Sequence, residues 1–335
     1  GVGLFFVLSG FILYHNYNGW FSSGVSWGHY RSFIRARFAR VFPMSVVGLL
    51  LITPITLLAV KQAPEILAAT VTHRSLVISW FMNLGLVHIY WPTPAIEYPW
   101  DVPSWSLADE VFFYALFPLL VAPVLRLAAS SRRMLGLAAL LYACETLAYC
   151  AFLLVIQQKT PYDQALALDL WGYRLPVFRL WEFLLGVIAG IAVQRGLRVP
   201  GWCLLPAAAL AAIPLPPGGP WSTLRWFALF TPLFAVAIAW LATVRSIAAQ
   251  LLSTRLMILL GEASYALYLT HWVTLHVLLL FHRADQTESI IGLCVTLGVS
   301  ILLFKYVETP CRAWLRGALP AASRPRPAVQ PVGVP

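Results

Sequence analysis

Long apolar runs separated by short basic segments set the pattern of hydrophobic and polar positions along this chain. A helix needs about 20 apolar residues to cross a bilayer. Runs near that length lie at 3–17, 43–60, 104–124, 135–156, 177–194, 201–216, 224–242, 257–281 and 289–306. The pattern predicts an all-α fold, a polytopic membrane helix bundle with about nine transmembrane helices.

A tenth apolar stretch, residues 75–91, is interrupted by Asn83 and His88, and the basic residues decide how it is read. Cytoplasmic loops are enriched in Lys and Arg. If 75–91 does not cross, one side holds 16 of the 23 Lys and Arg residues, in 30–40, 126–133, 195–198, 243–256 and the tail from 305. That side is then the cytoplasm. We therefore expect 75–91 to be re-entrant or interfacial, buried in protein or lining a cavity.

Composition places the chain among membrane proteins and excludes an ordinary soluble domain. It is 60% hydrophobic and 11% charged, with a mean hydropathy of +0.77, whereas soluble domains have about 25% charged residues. Lys and Arg retained in cytoplasmic loops explain the net charge of +10, so nucleic acid is not an expected partner. The five cysteines show no ligand spacing, and neither a metal site nor a disulfide framework is expected.

The two ends of the chain carry separate expectations. Gly1 starts an apolar run on the outer side without an initiating Met, so we expect a further helix upstream and about ten helices in the intact protein. Residues 1–308 are the predicted membrane domain. Residues 309–335, which end in the Pro-rich "ALPAASRPRPAVQPVGVP", are a predicted disordered cytoplasmic tail.

An acid pair stands near the start of the apolar stretch "SWSLADEVFFYALFPLL". Ser106 and Asp109 have the spacing of a capping box, which predicts that Asp109 caps the helix. Ser106, Glu110 and Tyr114 step by four and share a helix face, so Glu110 points toward the bundle. A carboxylate inside the membrane indicates a functional site. A buried ion pair with a residue such as Arg179 is the structural alternative.

Arginines cluster on the cytoplasmic side in "YRSFIRARFARVFP". Any one of Arg35, Arg37 and Arg40 is explained by anchoring of the chain at the cytoplasmic surface. Together they can bind the phosphate groups of a cytoplasmic ligand, because guanidinium groups hold phosphate through two parallel hydrogen bonds. Arg37 and Arg40 are three residues apart and lie on one helix face.

His271 and three tryptophans are further candidates. His271 lies deep in the run "SYALYLTHWVTLHVLLL", either as a functional group or as a neutral histidine bonded to a neighbouring helix. The indoles of Trp91, Trp100 and Trp105 form either an aromatic belt at the membrane interface or a platform on which a sugar stacks.

Four stretches, in this order, resemble the motifs of the integral-membrane acyltransferase family 3. They are "GVGLFFVLSGFIL" (1–13), "RARFARVFP" (35–43), "SWSLADEVFFYALFPLL" (104–120) and "LGEASYALYLTHW" (260–272). A closing "VETPCR" (307–312) resembles the acidic-Pro element that follows the last helix of the family. Any single motif is weak, but the four together run nearly from end to end.

The resemblance implies a membrane O-acyltransferase of the bacterial inner membrane. Members O-acylate sugars of lipopolysaccharide, peptidoglycan, exopolysaccharide, Nod factors or macrolides. The enzyme is then expected to move an acyl group, with acetyl favoured, from acyl-CoA to a hydroxyl of a cell-envelope or lipid-linked glycan, in contact with membrane lipid. The resemblance implies an acid at Glu110 and an arginine pair at Arg37 and Arg40. With the candidates taken from the residues themselves, we expect catalysis by Glu110 and His271, acyl-CoA binding by Arg35, Arg37 and Arg40, and acceptor binding by Ser106, Tyr114 and Trp105.

The sequence departs from the family pattern in two places, so two other interpretations of its function are kept. The resemblance implies a first helix with an Arg and a catalytic His about ten residues apart, and this segment would precede Gly1. Gly3 stands where many members have Asp. The alternatives are a transporter or permease, since re-entrant backbone and buried acids are also transporter features, and a truncated family member without catalytic activity.

Overall fold

The protein was analysed as a computed structural model, which describes residues 1–62, 71–205, 209, 230–244, 246–280 and 286–317. Helices and turns account for this part of the chain, which contains no strand, and the predicted all-α fold is confirmed. The described residues divide into two compact units, one made of 1–33 and 112–250 and the other of 34–111 and 251–318. Two long helices, α2 and α5, contribute residues to both units.

The helices of the first half are α1 (Val2–Phe21), α2 (Trp27–Gln62), α3 (His73–Leu84), α4 (Pro94–Glu97), α5 (Trp105–Leu127) and α6 (Ser131–Ile156). Those of the second half are α7 (Pro161–Ala167), α8 (Pro176–Gln194), α9 (Phe230–Thr243), α10 (Ile247–Leu252), α11 (Arg255–Leu280), α12 (Gln286–Leu303) and α13 (Thr309–Gly317). Short 3₁₀ turns at His88–Tyr90 and Val102–Ser104 lie before α5. A π-helical turn, Phe304–Glu308, joins α12 to α13.

Five helical segments of the described chain are long and apolar enough to cross a membrane. They are Trp27–Gln62, Val102–Leu127, Ser131–Ile156, Pro176–Gln194 and Ile290–Leu315. The count of nine spans stays a prediction, because most of the run 201–216 and the first part of 224–242 lie outside the described residues. Of the predicted tail, residues 309–317 are helical and the remainder lies outside the described part.

The interrupted stretch 75–91 folds as the 12-residue helix α3 followed by a turn. At a rise of 1.5 Å per residue α3 is about 18 Å long, too short to cross a hydrocarbon core of about 30 Å. Leu86 in the turn has a φ of 54°, the only positive φ of a non-glycine residue in the described chain. That conformation is costly for a branched side chain, and it directs the chain back toward α4.

In the first unit, α1 and α8 cross with backbone against backbone. A Cβ on Gly10 would lie 2.0 Å from the carbonyl oxygen of Phe183, and a Cβ on Gly186 would lie 1.9 Å from that of Val7. Small residues allow membrane helices to approach this closely. Gly10 and Gly186 are therefore required by helix packing.

Aromatic rings fill the space around this crossing. The Phe113 ring of α5 meets Phe6 edge-on with centroids 5.2 Å apart, and stacks on Phe183 of α8 at 5.0 Å. Such pairs add about 0.5–1.5 kcal/mol each to the energy of buried area. The core of the first unit is thus built from α1, α5 and α8.

In the second unit, α11 and α12 are joined by hydroxyl pairs. Thr270 and Ser300 hydrogen-bond at 2.9 Å, and Thr296 donates to Thr274 at 2.7 Å. Hydroxyls can bond across helices in a membrane, where water does not compete. These contacts fix the rotation of α11, the helix that also carries Tyr268 and His271.

Candidate active site

The start of α5 places the acid pair and Ser106 inside the second unit. The chain leaves the 3₁₀ turn Val102–Ser104 and enters α5 at Trp105, so Ser106 is the second residue of the helix. Its hydroxyl hydrogen-bonds the Pro103 carbonyl at 3.1 Å and the Tyr268 hydroxyl of α11 at 3.0 Å. A capping residue precedes the helix and bonds first-turn amides. The predicted Ser106–Asp109 capping box is therefore wrong.

The helix face predicted from the four-residue spacing is buried. Ser106 is 1% exposed, and Glu110 and Tyr114 are each 5% exposed. Asp109 is completely buried. Partial burial of the Tyr90 phenol raises its pKa, and the charge of Asp109 raises that pKa further. The Asp109 carboxyl therefore lies near Tyr90. Both acids of the pair point into protein.

A hydrogen-bonded network behind this helix start joins Asn83, His88 and Ser104. The Asn83 amide nitrogen donates to the Ser79 carbonyl at 3.0 Å, which turns the amide oxygen toward Ser104. The Ser104 hydroxyl donates to that oxygen at 3.1 Å, and His88 Nε2 lies 3.3 Å from the same hydroxyl. A hydroxyl has one proton, so His88 donates from Nε2 and is not placed to deprotonate Ser104.

The sequence reasoning missed this network, although a signal for it existed. Asn83 and His88 interrupt an apolar run of the sequence, and both are at most 3% exposed. A buried polar side chain needs a hydrogen-bond partner. Their partner, Ser104, is 16 or more residues away in the chain, and no local pattern identifies it.

His271 is connected to Ser106 through Tyr268. The Tyr268 hydroxyl bonds Ser106, and the Tyr268 ring lies 5.7 Å from the His271 ring, centroid to centroid. His271 Nδ1 bonds the Tyr268 carbonyl of its own helix, and its side chain is exposed. The alternative of a packed histidine bonded to a neighbouring helix is therefore wrong. Ser106 and His271 are thus both neighbours of Tyr268.

Arg40 of α2 contacts Glu308, which lies between α12 and α13. Arg40 Nη1 lies 3.0 Å from Glu308 Oε1, and Arg312 Nη2 lies 2.7 Å from the same oxygen. The Arg40 guanidinium also lies over the Tyr265 ring, 5.7 Å from its centroid. The Tyr265 hydroxyl in turn donates to the Val41 carbonyl at 2.7 Å. Arg312 was not among the predicted donor-binding residues.

The other predicted residues differ in exposure. Arg35 is exposed, and Arg37 is half-buried on the same helix as Arg40. Trp105 is buried at 5% exposure, whereas Trp91 is 64% exposed. A belt of indoles facing lipid therefore fits Trp91 and does not fit Trp105.

Arg179, considered above as a partner for Glu110, has its ion pair within its own helix. Its Nη2 lies 3.0 Å from Glu182 Oε2, and both side chains are almost completely buried in the first unit. The guanidinium also lies over the rings of Phe6 and Tyr173, at 5.2 and 5.0 Å. Thr231 of α9 donates to the second oxygen of Glu182 at 3.2 Å.

Comparisons with known proteins point to one family. The sequence profile of the Acyl_transf_3 family, described as an acyltransferase domain, matches residues 1–305. A relative from Streptomyces mycarofaciens named "Acyltransferase MdmB" is 29% identical over 98% of this chain and 84% of its own length. No solved structure shows significant similarity to the chain.

Proposed function

This chain belongs to the Acyl_transf_3 family, and on that premise we propose that it transfers an acetyl group from a cytoplasmic acyl-CoA to a hydroxyl of a cell-envelope or lipid-linked glycan. Family membership confirms the resemblance seen in the sequence, and the protein is an acyltransferase. Its long apolar helices are those of an integral membrane protein. The acyl-CoA donor, the acetyl group, the glycan acceptor and the bacterial inner membrane belong to the proposal.

The arginine cluster of the second unit is the observation that carries the choice of donor. Arg35, Arg37 and Arg40 lie within two turns of α2, and Arg312 joins Arg40 at Glu308. Two of these guanidinium groups, those of Arg40 and Arg312, are paired with Glu308. Acyl-CoA presents several phosphates, which planar guanidinium groups bind through paired hydrogen bonds.

Glu308 contributes to this donor site by holding two of its arginines in place. Its carboxylate bonds Arg40 and Arg312 through the same oxygen. Ordering a long side chain on binding costs about 0.5–1.5 kcal/mol, and these contacts order two arginines in advance. The acid therefore supports phosphate binding rather than opposing it.

The chain Ser106–Tyr268–His271 supports the assignment of the acceptor end. In the proposed reaction, the acceptor hydroxyl attacks the thioester carbonyl carbon, the C–O bond forms, and the C–S bond breaks. The hydroxyl proton ends on the thiol of coenzyme A. This transfer needs a general base near the hydroxyl. The His271 side chain is exposed and bonds the Tyr268 carbonyl, while Glu110 shares the buried face of Ser106.

The experiment that tests this function follows the acetyl group directly. Inside-out membrane vesicles containing the protein receive radiolabelled acetyl-CoA and, in separate reactions, lipopolysaccharide, peptidoglycan, an exopolysaccharide or a macrolide. We expect alkali-labile label on one of these acceptors, together with release of free coenzyme A. Vesicles from cells lacking the protein are the control.

Two results would contradict the proposal. Equal labelling with and without the protein would remove the donor and acceptor assignment. Movement of an acceptor across the vesicle membrane without any acylation would favour the transporter reading instead.

A further inference from the structure

The carboxyl of Asp101 is a buried acid that has no role in the acyl transfer described above. Asp101 is 2% exposed, and neither of its oxygens has a hydrogen-bond partner among the described residues. Buried polar groups without partners are rare in folded proteins. Glu308, by comparison, is paired with Arg40 and Arg312. Burial raises the pKa of the Asp101 carboxyl to about 8.

The backbone that carries this carboxyl is held firmly in place. Thr56 of α2 donates to the Pro99 carbonyl at 2.9 Å. The Trp272 indole of α11 donates to the Trp100 carbonyl at 3.2 Å. Two successive carbonyls before Asp101 are thus bonded to different helices. The backbone is thus fixed by hydrogen bonds, whereas the carboxyl has no hydrogen-bond partner in the segments that the structure describes.

Gly48 on α2 leaves room for this carboxyl. A Cβ at Gly48 would lie 2.7 Å from Asp101 Oδ2 and 3.5 Å from the Leu269 Cβ of α11. Any larger residue would have to displace the carboxyl. Gly48 and Leu269 carry no charge, and an apolar surrounding favours the neutral form of an acid. A neutral carboxyl has an O–H that can donate a hydrogen bond.

Asp101 also lies next to the candidate acceptor residues. The Ser104 amide donates to the Asp101 carbonyl at 2.9 Å, and this turn leads directly into Trp105 and Ser106. Ser106 bonds Tyr268, which contacts His271. The carboxyl therefore stands one turn before the helix start to which the acyl-transfer chemistry was assigned.

We propose that Asp101 is a further catalytic residue, whose neutral carboxyl donates a hydrogen bond to the acyl carbonyl oxygen as that oxygen becomes an oxyanion. This inference rests on the proposed acyl transfer. When the acceptor oxygen attacks, the C=O electron pair moves onto the carbonyl oxygen, and the Asp101 O–H stabilises the negative charge without giving up its proton. When the C–S bond breaks, the carbonyl re-forms and Asp101 is unchanged.

The apolar surroundings favour this role over that of a general base. A base must start as a carboxylate, and within the described part of the chain no charged neighbour stabilises one at Asp101. A carboxyl that an apolar site keeps neutral at pH 7 is an effective donor to a developing oxyanion. Donors of this kind act most strongly where water is excluded.

Three variants of the full chain test the inference, with acetyl-CoA as donor and whichever of the four acceptors the wild type labels most. Asp101→Leu removes the donor and should lower kcat by about 10²–10³-fold, the scale for loss of one oxyanion donor. Asp101→Asn keeps an N–H donor and should retain much more activity. Gly48→Ala, which pushes on Oδ2, should lower kcat with KM for acetyl-CoA little changed.

Glu145 provides the matched control. It is 2% exposed and neither of its oxygens has a hydrogen-bond partner in the described chain, but it lies on α6 in the first unit. Glu145→Gln should keep near-normal turnover. Thermal melting of each variant checks folding, and if Asp101→Leu does not fold, Asp101→Asn and Gly48→Ala decide.

Each alternative result has a distinct meaning. Near-normal turnover in a folded Asp101→Leu variant, or in Gly48→Ala, would overturn the inference. Equal and complete losses in Asp101→Asn and Asp101→Leu would also overturn it, because they indicate proton transfer rather than donation. Absence of transfer by the wild type itself would overturn the proposed function instead.

Discussion

The buried hydroxyls of Ser104 and Ser106, near the start of α5, each make two hydrogen bonds that offset their loss of hydration. Ser106 bonds a carbonyl and a tyrosine, and Ser104 bonds an amide and an imidazole. A buried hydrogen bond contributes only about 0.5–1.5 kcal/mol net, but an unsatisfied partner costs about 1–3 kcal/mol. Removing one member of such a chain therefore has a larger effect than one bond suggests.

Glu110 is the acid whose role can be tested at the residue scale. Glu110→Gln keeps the size of the side chain but removes its ability to accept a proton. If Glu110 serves the transfer, turnover should fall by about 10²-fold or more, the usual scale for a positioned acid–base group. The measurement is acyl transfer by the detergent-solubilised full chain.

The control for this change is Asp163→Asn, because Asp163 is an exposed acid on α7 in the first unit, away from the candidate site. It should leave turnover near normal. Melting temperatures of both variants show whether either fold is disturbed. Near-normal turnover in Glu110→Gln would assign Glu110 a structural role.

At this scale the sequence predicted relations between residues close together in the chain and missed contacts between distant residues. The face shared by Ser106, Glu110 and Tyr114 followed from helix periodicity alone. The capping box failed because Val102–Ser104 forms a 3₁₀ turn, which moves the helix start to Trp105. Tyr268 could not be inferred as a partner of Ser106, since tertiary packing brings together residues 162 positions apart.

At the scale of elements, α2 presents arginines that the ends of α12 and α13 orient. Glu308 holds the guanidinium groups of Arg40 and Arg312 in place, and in our proposal this orders them before the donor binds. The arginine spacing on α2 was visible in the sequence. The contribution of Arg312 was not, because it depends on the π-helical turn that brings Glu308 to Arg40.

The donor site predicts the behaviour of arginine variants. Arg37→Ala and Arg40→Ala should each weaken acetyl-CoA binding, since a lost charge-assisted hydrogen bond costs about 1.5–3 kcal/mol. Lys should restore only part of the affinity because it lacks the planar fork. Equilibrium binding of acetyl-CoA to the solubilised protein measures the effect.

Arg126→Ala is the matched control, because Arg126 is an exposed arginine at the end of α5. Its loss should leave donor affinity unchanged. Unchanged affinity in well-folded Arg37→Ala and Arg40→Ala variants would reduce the cluster to membrane anchoring.

The crossing of α1 and α8 makes a second prediction for elements. Gly10→Ala places a methyl group 2.0 Å from the Phe183 carbonyl oxygen, so the helices must move apart. Overpacking of this kind costs about 1–3 kcal/mol, and the melting temperature should fall. Gly19→Ala on the same helix has nothing within 4 Å of its new Cβ and should not lower it. Equal melting temperatures for the two variants would contradict the crossing.

At the scale of the whole molecule, the apolar runs predicted the helices well because each helix must satisfy its backbone within the bilayer by itself. The run 43–60 is part of the longer helix α2, whose polar first half no hydropathy pattern marks. Orientation across the membrane rests on charge alone, so it remains a prediction that labelling must test.

The helix α6 offers the sharpest test of that orientation, because both of its ends carry exposed polar residues. Ser131 starts the helix on the side rich in arginine, and Gln158 follows its other end, about 40 Å away by helix rise. In a chain whose native cysteines are replaced, Gln158→Cys should react with an impermeant maleimide in intact cells. Ser131→Cys should react only after the membrane is opened. Labelling of Ser131→Cys from outside would mean that 75–91 crosses after all, and labelling of both positions would mean that α6 does not span.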